Sequence, residues 1–307
     1  MTLIESRKKP ASAVLSLPCN SARDYPLLNA TMLNADLHCH SNVSDGVMAP
    51  AELAERAKAN GVEYWALTDH DEVGGIAAAR AAARDVGLPF MAGVEISITW
   101  AGKTVHIVGL GIDETNATLR AGLDSVRNGR LVRGREIALQ LAQAGIPGAF
   151  EGALKYADNP EMLGRTHFAR FLVDAGVKPT VSVVFDNYLV EGKPGFVPHR
   201  WATLEESVSW IRAAGGRAVI AHPGRYPFTD LQLWALIDRF RELGGEGIEV
   251  VTGSHTPDQY QTFANVARRS GLLASRGSDF HGPGESRIDL GALPPLPASL
   301  TPVWHDW

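Results

Sequence analysis

The stretch Ala35-Asp36-Leu37-His38-Cys39-His40-Ser41-Asn42-Val43-Ser44-Asp45-Gly46 decides how the chain reads. A short apolar run enters it, two histidines separated by one residue end the run, and an acid with a glycine closes the turn that follows. Residues two apart in an extended strand face the same side, so His38 and His40 present their imidazoles together while Cys39 points the other way. Asp45 can reach back from the loop, which completes a three-ligand start to a metal site.

The same arrangement recurs along the chain. Apolar runs alternate with helical patterns, the signature of βα units. Seven strands are predicted, at Ala35 to Cys39, Val62 to Thr68, Pro89 to Glu95, Thr104 to Leu110, Arg217 to Ala221, Gly247 to Val251 and Leu272 to Arg276. Helices are predicted after Pro50 up to Gly61, at Gly75 to Val86, Thr203 to Ala214, Asp230 to Leu243 and Pro257 to Ser270. The rhythm breaks once, between Gly111 and Arg200, where the sequence reads as helix without a convincing strand. Those residues are expected to form an inserted helical domain.

Acids and histidines fall at strand ends: Thr68-Asp69-His70-Asp71, Gly93-Val94-Glu95, Ala221-His222-Pro223 and Ser278-Asp279-Phe280-His281-Gly282, with His106 inside a fourth strand. A single histidine is more often a hydrogen-bonded structural residue than a ligand. In a parallel barrel, however, the carboxyl ends of the strands meet at one rim, so these clusters would share one pocket. The candidate ligands His38, His40, Asp45, His70, Glu95, His106, His222, Asp279 and His281 exceed what one ion needs, so two or three are implied, with Glu95 as a bridge. The mixture of imidazole and carboxylate suits Mn²⁺, Fe²⁺ or Zn²⁺. Asp69 and Asp71 flank His70 and are expected to orient ligands rather than bind metal.

Together, H-x-H with a downstream D-G, T-D-H-D, G-x-E, A-H-P and S-D-F-H-G resemble the PHP (polymerase and histidinol phosphatase) family of metal-dependent phosphoesterases, from about Asn34 to Leu293. The resemblance implies an α/β fold, a distorted (β/α)7 TIM-like barrel carrying a trinuclear metal centre. Its division here would be an N-terminal extension at 1–33 outside the fold, the barrel at 34–112 and 201–293, a helical cap at 113–200 and a C-terminal tail at 294–307. The segments Gly164 to Arg170, Phe196 to Trp201 and Gly253-Ser254-His255 resemble the branch of nucleoside 3′,5′-bisphosphate phosphatases and the related 5′ to 3′ exoribonuclease. Many histidinol phosphatases have a histidine where this chain has Asp45, which weakens histidinol phosphate as the substrate and tilts the metals toward three Mn²⁺ ions.

Phosphates beside metals need donors for their remaining charge. Arg130, Arg133, Arg165, His167, Lys193, His199 and His255 are the candidate substrate-binding residues, with Arg200 beside them. The duller account makes them helix ends and solvated faces; Arg127, Arg130 and Arg133, spaced by three, would share one face of a single helix. Asp279 and His222 are the candidate catalytic residues, with His222 or a metal-bound water as proton donor to the leaving oxygen. Trp201, Trp210 and Trp234 are expected in the core, and His305 shows no site logic.

The chain of 307 residues, 45% hydrophobic and 21% charged, has the composition of an ordinary globular protein, and its net charge of −5 offers no basic surface for duplex DNA. Arg7, Lys8 and Lys9 precede a weak apolar stretch that superficially resembles a secretion signal but stops at Pro18; a translation start at Met32 would leave it outside the protein. Cys19 and Cys39 make no disulfide scaffold, and no apolar run is long enough to span a membrane, so a cytoplasmic protein is expected. The expected activity is hydrolysis of the 3′-phosphate of nucleoside 3′,5′-bisphosphates, and of short single-stranded RNA from 5′ to 3′, through a metal-activated hydroxide. Histidinol-phosphate hydrolysis and a noncatalytic metal-binding module are the alternatives.

Overall fold

The computed structural model describes residues 32–199 and 201–307. The segment 1–31, with Cys19, and the candidate Arg200 lie outside the described residues. Seven strands form one sheet in chain order: β1 (Ala35–Asp36), β2 (Tyr64–Leu67), β3 (Phe90–Trp100), β4 (Lys103–Leu110), β5 (Arg217–Ile220), β6 (Gly247–Thr252) and β7 (Leu273–Gly277). The sheet nearly closes into a barrel, because Leu37 N–H donates to Arg276 O at 3.0 Å, Asp279 N–H to His38 O at 2.8 Å and His40 N–H to Phe280 O at 2.9 Å.

One expectation fails. The barrel is not all parallel: β4 runs antiparallel to both β3 and β5. The cause is a two-residue turn, Ala101-Gly102, with φ of 47° and 75°. Two successive left-handed residues make the turn whose twist matches a hairpin, so β4 folds straight back on β3 without a crossover helix. Strand β3 also continues well past Glu95, and the β3–β4 ribbon stands above the rim.

Helices α1 (Pro50–Ala59) and α2 (Ile76–Asp85) cover the first strands. Around the later strands lie α8 (Leu204–Ala213), α9 (Asp230–Glu242) and α10 (Pro257–Ser270), each opened by a threonine whose side chain accepts from the third helical N–H. Between β4 and α8 come α3 (Ala117–Arg127), α4 (Arg130–Gln143), α5 (Ala149–Leu154), α6 (Arg165–Asp174) and α7 (Val181–Val184). The expected single arginine-bearing helix is thus broken at Asn128-Gly129. Leu119, Leu123 and Val126 of α3 pack into the barrel core, whereas Ile137, Leu141, Phe168, Leu172 and Leu189 form a separate apolar cluster. The second apolar cluster begins with α4.

The segment after Leu293 packs on the barrel. Leu296, Leu300, Val303 and Trp304 are buried in the barrel core, and Val303 N–H donates to Ala274 O at 2.8 Å. It covers the amino-terminal ends of the strands, opposite the rim that carries the histidines.

Candidate metal centre

Glu95 sits at the middle of the rim, fully buried near the point where β3 passes the carboxyl end of β2. Five imidazole nitrogens surround its carboxylate: His70 Nδ1 and His106 Nδ1 at 2.9 Å, His222 Nε2 at 3.0 Å, and His38 Nε2 and His40 Nε2 at 3.3 Å. His40 Nε2 lies 3.3 Å from both Glu95 Oε2 and Asp279 Oδ1. Asp45 Oδ1 lies 3.4 Å from His281 Nε2 and 3.8 Å from His40 Nδ1, with His70 Nε2 3.9 Å from its other oxygen. All nine candidate ligands come together. His106 arrives from the first half of its strand, because the reversal of β4 places that half at the rim.

Ligand atoms converge in four overlapping groups: His40, Asp45, His70 and His281; His38, Glu95 and His222; His38, His40 and Asp279; and His70, Glu95 and His106. Buried polar atoms are normally hydrogen-bonded, yet His40 Nδ1, Asp45 Oδ1, His70 Nδ1 and Glu95 Oε2 are buried without a sound hydrogen bond. Four such atoms aimed at one another fit cations between them. The tautomers agree. His38 Nδ1–H donates to Glu249 at 2.8 Å and His281 Nδ1–H to Asp279 O at 3.0 Å. Tyr226 Oη accepts from His106 N–H and lies 3.1 Å from His222 Nδ1. Each of these three rings is left with its Nε2 lone pair turned inward.

Electrostatics follow from burial without counter-ions. Burial, then repulsion from His281 and His70, lowers the pKa of His40 to about 3. Burial alone would lower that of His281, but Asp45 beside it holds it up at about 9. Asp45, Glu95 and Asp279 lie well below the usual carboxylate range, because the surrounding imidazoles outweigh their burial. For His222, burial and then Arg225 lower the pKa to about 3. Both of its ring nitrogens are engaged, Nε2 with Glu95 at 3.0 Å and Nδ1 with Tyr226 Oη at 3.1 Å.

Backbone strain gathers here. Asp71, His222 and Asp279, with φ of 47°, 27° and 55°, are three of the four non-glycine residues with positive φ among the described residues. Such conformations persist where the surroundings enforce them, typically at functional sites. Asp69 accepts from Ser41 N–H at 2.7 Å and from the hydroxyls of Ser41 and Ser44 at 2.6 Å, which shapes the loop that carries Asp45. Asp71 accepts from Ser97 N–H at 2.7 Å and pairs with Arg130. Cys39 faces away from the histidines and takes the Trp65 indole N–H at 3.2 Å.

Cations line the gap between rim and inserted helices. Arg130 and Arg133 lie over the Trp201 ring at 4.8 and 5.2 Å, and His199 meets its edge at 4.2 Å. Burial, then Arg165 and Arg130, weakens the hold of Arg133 on its proton, to about 9; burial, then Arg225 and Arg130, does the same for Arg165, to about 10. Guanidinium groups that repel one another in a buried setting favour an anion between them. His167 is buried at the start of α6, where its Nδ1 accepts from Gly164 N–H at 3.0 Å.

Two candidates lie elsewhere. Lys193 is exposed in the turn after Leu189, with its backbone N–H bonded to Val190 O. His255 is buried with both nitrogens spent: Nδ1 on Val250 O at 3.1 Å, Nε2 accepting from Gly224 N–H at 2.9 Å. It holds the turn that presents Arg225. The sequence reading missed Arg225, whose Nη1 lies 3.1 Å from Asp279, and Glu249, which also accepts from His222 N–H at 2.6 Å. Glu249 had a signal: an acid inside the apolar run Gly247-Ile248-Glu249-Val250-Val251. Trp201 is buried but reaches the site's edge; Trp210 and Trp234 pack on the barrel core, and His305 bonds Pro302 O, remote from the rim.

A rim of histidines and acids on a seven-stranded α/β barrel is the arrangement of a metal-dependent hydrolase, and the PHP domain model matches residues 36–145. The 3′,5′-nucleoside bisphosphate phosphatase of Chromobacterium violaceum is 52% identical over 275 residues, covering 90% of this chain and 96% of its own. On that similarity the chain belongs to the PHP family. The 5′-3′ exoribonuclease of Haemophilus influenzae is 44% identical over 270 residues, covering 88% of this chain and 97% of its own. A solved structure described as an amidohydrolase from Chromobacterium violaceum, with bound sulfate and no metal, superposes with a TM-score of 0.87 at 52% identity, covering 89% of this chain and 95% of that one.

Proposed function

We propose that the protein is a metal-dependent phosphomonoesterase that removes the 3′-phosphate of nucleoside 3′,5′-bisphosphates, such as 3′,5′-bisphosphoadenosine, and degrades short single-stranded RNA from the 5′ end. One observation supports the reading: Arg130, which pairs with Asp71 beside His70, gathers with Arg133 and Arg165 next to a rim on which nine candidate metal-ligating side chains converge. A bisphosphate needs both, one centre to cleave a phosphate and another to hold the second. The names of the relatives from Chromobacterium violaceum and Haemophilus influenzae support both substrate classes.

The ligand set supports three divalent ions, with Mn²⁺ the preferred metal over Fe²⁺ or Zn²⁺ and Glu95 reaching two of the groups. Bound there, such ions supply Lewis acidity toward phosphoryl oxygens and activate water near neutral pH. The chain's own residues do the rest. Glu249 and the Asp279 carbonyl fix the ring tautomers of His38 and His281. His38, His40 and Glu95 are wholly buried, whereas the side chains of His70, His106 and His281 keep 15%, 17% and 20% exposure, so solvent and substrate enter from their side. Arg225 stands beside Asp279 at that opening to neutralise the phosphate being transferred to water, and Arg133 and Arg165 hold the phosphate that stays.

We place the cap boundary at the start of α4, with α3 assigned to the barrel on its packing. Among the described residues no helix is long and apolar enough to cross a membrane; we assign a cytoplasmic location, with neither a membrane nor duplex DNA as a partner. A noncatalytic role fits poorly with a full ligand set and strained rim residues. The test is kcat/KM of the Mn²⁺-loaded protein for 3′,5′-bisphosphoadenosine, a 5′-phosphorylated RNA oligomer and histidinol phosphate. The bisphosphate should lead; a clear preference for histidinol phosphate would overturn the assignment.

A further inference from the structure

Helix α6 belongs to the inserted helices by its packing, yet its first two turns rest on the barrel. Thr166 Oγ1 donates to Asp45 Oδ2 at 3.0 Å. One turn later Arg170, only 7% exposed, donates from Nη2 to Asp45 O at 2.6 Å, and from Nε and Nη2 to the two oxygens of Glu285 at 2.7 Å each. Its planar fork therefore joins two loops that carry no regular structure. One loop, 41–46, brings Asp45; the other, 281–286, brings His281. Those two residues, with His40 and His70, make one of the four groups of converging ligand atoms.

Each loop has some internal support. Asp69 shapes the first, and Ser286 Oγ accepts from His281 N–H at 2.7 Å in the second. They also meet directly, through the backbone bond from Val47 N–H to His281 O at 2.8 Å and through Asp45 and His281 themselves at 3.4 Å. Neither device ties them to α6. Arg170 does, and Arg165, at the head of the same helix, is among the cations assigned to the substrate phosphate.

We propose that Arg170 is a positioning residue that assembles the Asp45–His281 metal position, so that docking of the cap and binding of metal at that position are coupled. The inference rests on the reading of His40, Asp45, His70 and His281 as ligands. A metal site built on two irregular loops is only as well defined as the contact that fixes one loop against the other. If substrate on Arg165 favours the docked helix, linkage requires that it raise metal affinity at this position by the factor by which metal there raises substrate affinity.

The experiment is a Mn²⁺ titration of metal-free full-length protein by equilibrium dialysis, with bound metal read by mass spectrometry, for wild type, Arg170→Met, Glu285→Gln and the double variant. Arg170→Met should weaken one position by about tenfold to a hundredfold and leave the others at wild-type strength. Glu285→Gln should weaken the same position, and the double variant should lose no more than the larger single loss, since both residues form one clamp. In metal-free Arg170→Met, hydrogen exchange should quicken in 41–46 and 281–286 before it does in the barrel strands. Equal weakening of every position, together with a lower melting temperature, would reduce Arg170 to a general stabiliser and overturn the proposal. Unchanged binding in both single variants would overturn it too. If wild type itself bound no Mn²⁺, the ligand reading would fail first, which the wild-type titration alone reveals.

Discussion

Glu249 takes the Nδ1 proton of His38 at 2.8 Å through one carboxylate oxygen, and with the other it takes the backbone N–H of His222 at 2.6 Å. A single buried acid on β6 thus orients a candidate ligand just past β1 and pins the strained residue that follows β5. Carboxylates in this position fix a ring's tautomer and raise its basicity toward a metal.

Glu249→Gln should therefore raise the Mn²⁺ concentration needed for half-maximal activity by about tenfold to a hundredfold, with much of the turnover recovered at saturating metal. An unchanged metal dependence would show that His38 orients itself without the acid.

Asp279→Asn and His70→Ala should lower metal content and turnover together while circular dichroism stays that of the folded barrel. Several kcal/mol of lost transition-state stabilisation means about a thousandfold or more in rate. Full metal content with near-native turnover in either variant would remove that residue from the ligand set.

Arg165→Ala separates binding of the second phosphate from chemistry. A hydrogen bond to a charged group contributes roughly 1.5–3 kcal/mol, so KM for a 3′,5′-bisphosphate should rise about tenfold to a hundredfold. p-Nitrophenyl phosphate, which lacks the second phosphate, should barely respond. Equal losses on both substrates would move Arg165 from substrate binding to support of the metal centre.

His255→Ala should behave as a structural lesion. Leaving Gly224 N–H and Val250 O without their partner in a buried setting costs about 1–3 kcal/mol, visible as a lower melting temperature, with KM little changed. Lys193→Ala, on an exposed turn, should change stability by less than about 0.5 kcal/mol and leave kinetics alone. A large KM effect from either would restore it to the substrate pocket.

Gly277→Ala tests the seam of the barrel. A Cβ at Gly277 would overlap the Cβ of His38 across the β7–β1 junction. Forcing the strands apart should cost more than about 2 kcal/mol and displace a ligand at once, so stability and metal affinity should fall together. A stable variant with intact metal binding would mean that the seam is looser than its geometry.

Strand positions and the meeting of the candidate ligands at one rim were legible because both depend on local pattern: apolar runs end in acid–histidine pairs, and parity puts His38 with His40, or Asp279 with His281, on one side. Direction was not legible. Ala101-Gly102 lacks the Asn-Gly or Asp-Gly signature of a tight hairpin, so the reversal of β4 stayed hidden, and with it the route by which His106 enters. Arg170 and Arg225 escaped for another reason. Their roles depend on partners far away in sequence, Glu285 and Asp279, which periodicity does not see. His255 looked like a site residue from its place after β6, but only three-dimensional packing reveals that both ring nitrogens serve the backbone.

The hairpin at Ala101-Gly102 also sets an order of events. Its turn closes a local loop, so the β3–β4 ribbon can form within about 1–10 μs and bring Glu95 and His106 near one another at once. His38 and Asp279 come from the two ends of the barrel sequence and meet only when β1 pairs with β7, the contact in the sheet that closes the longest loop and carries the largest closure entropy. The complete cluster of candidate ligands therefore depends on closure of the β1–β7 seam, and a barrel open at that seam would present only part of the set to passing ions.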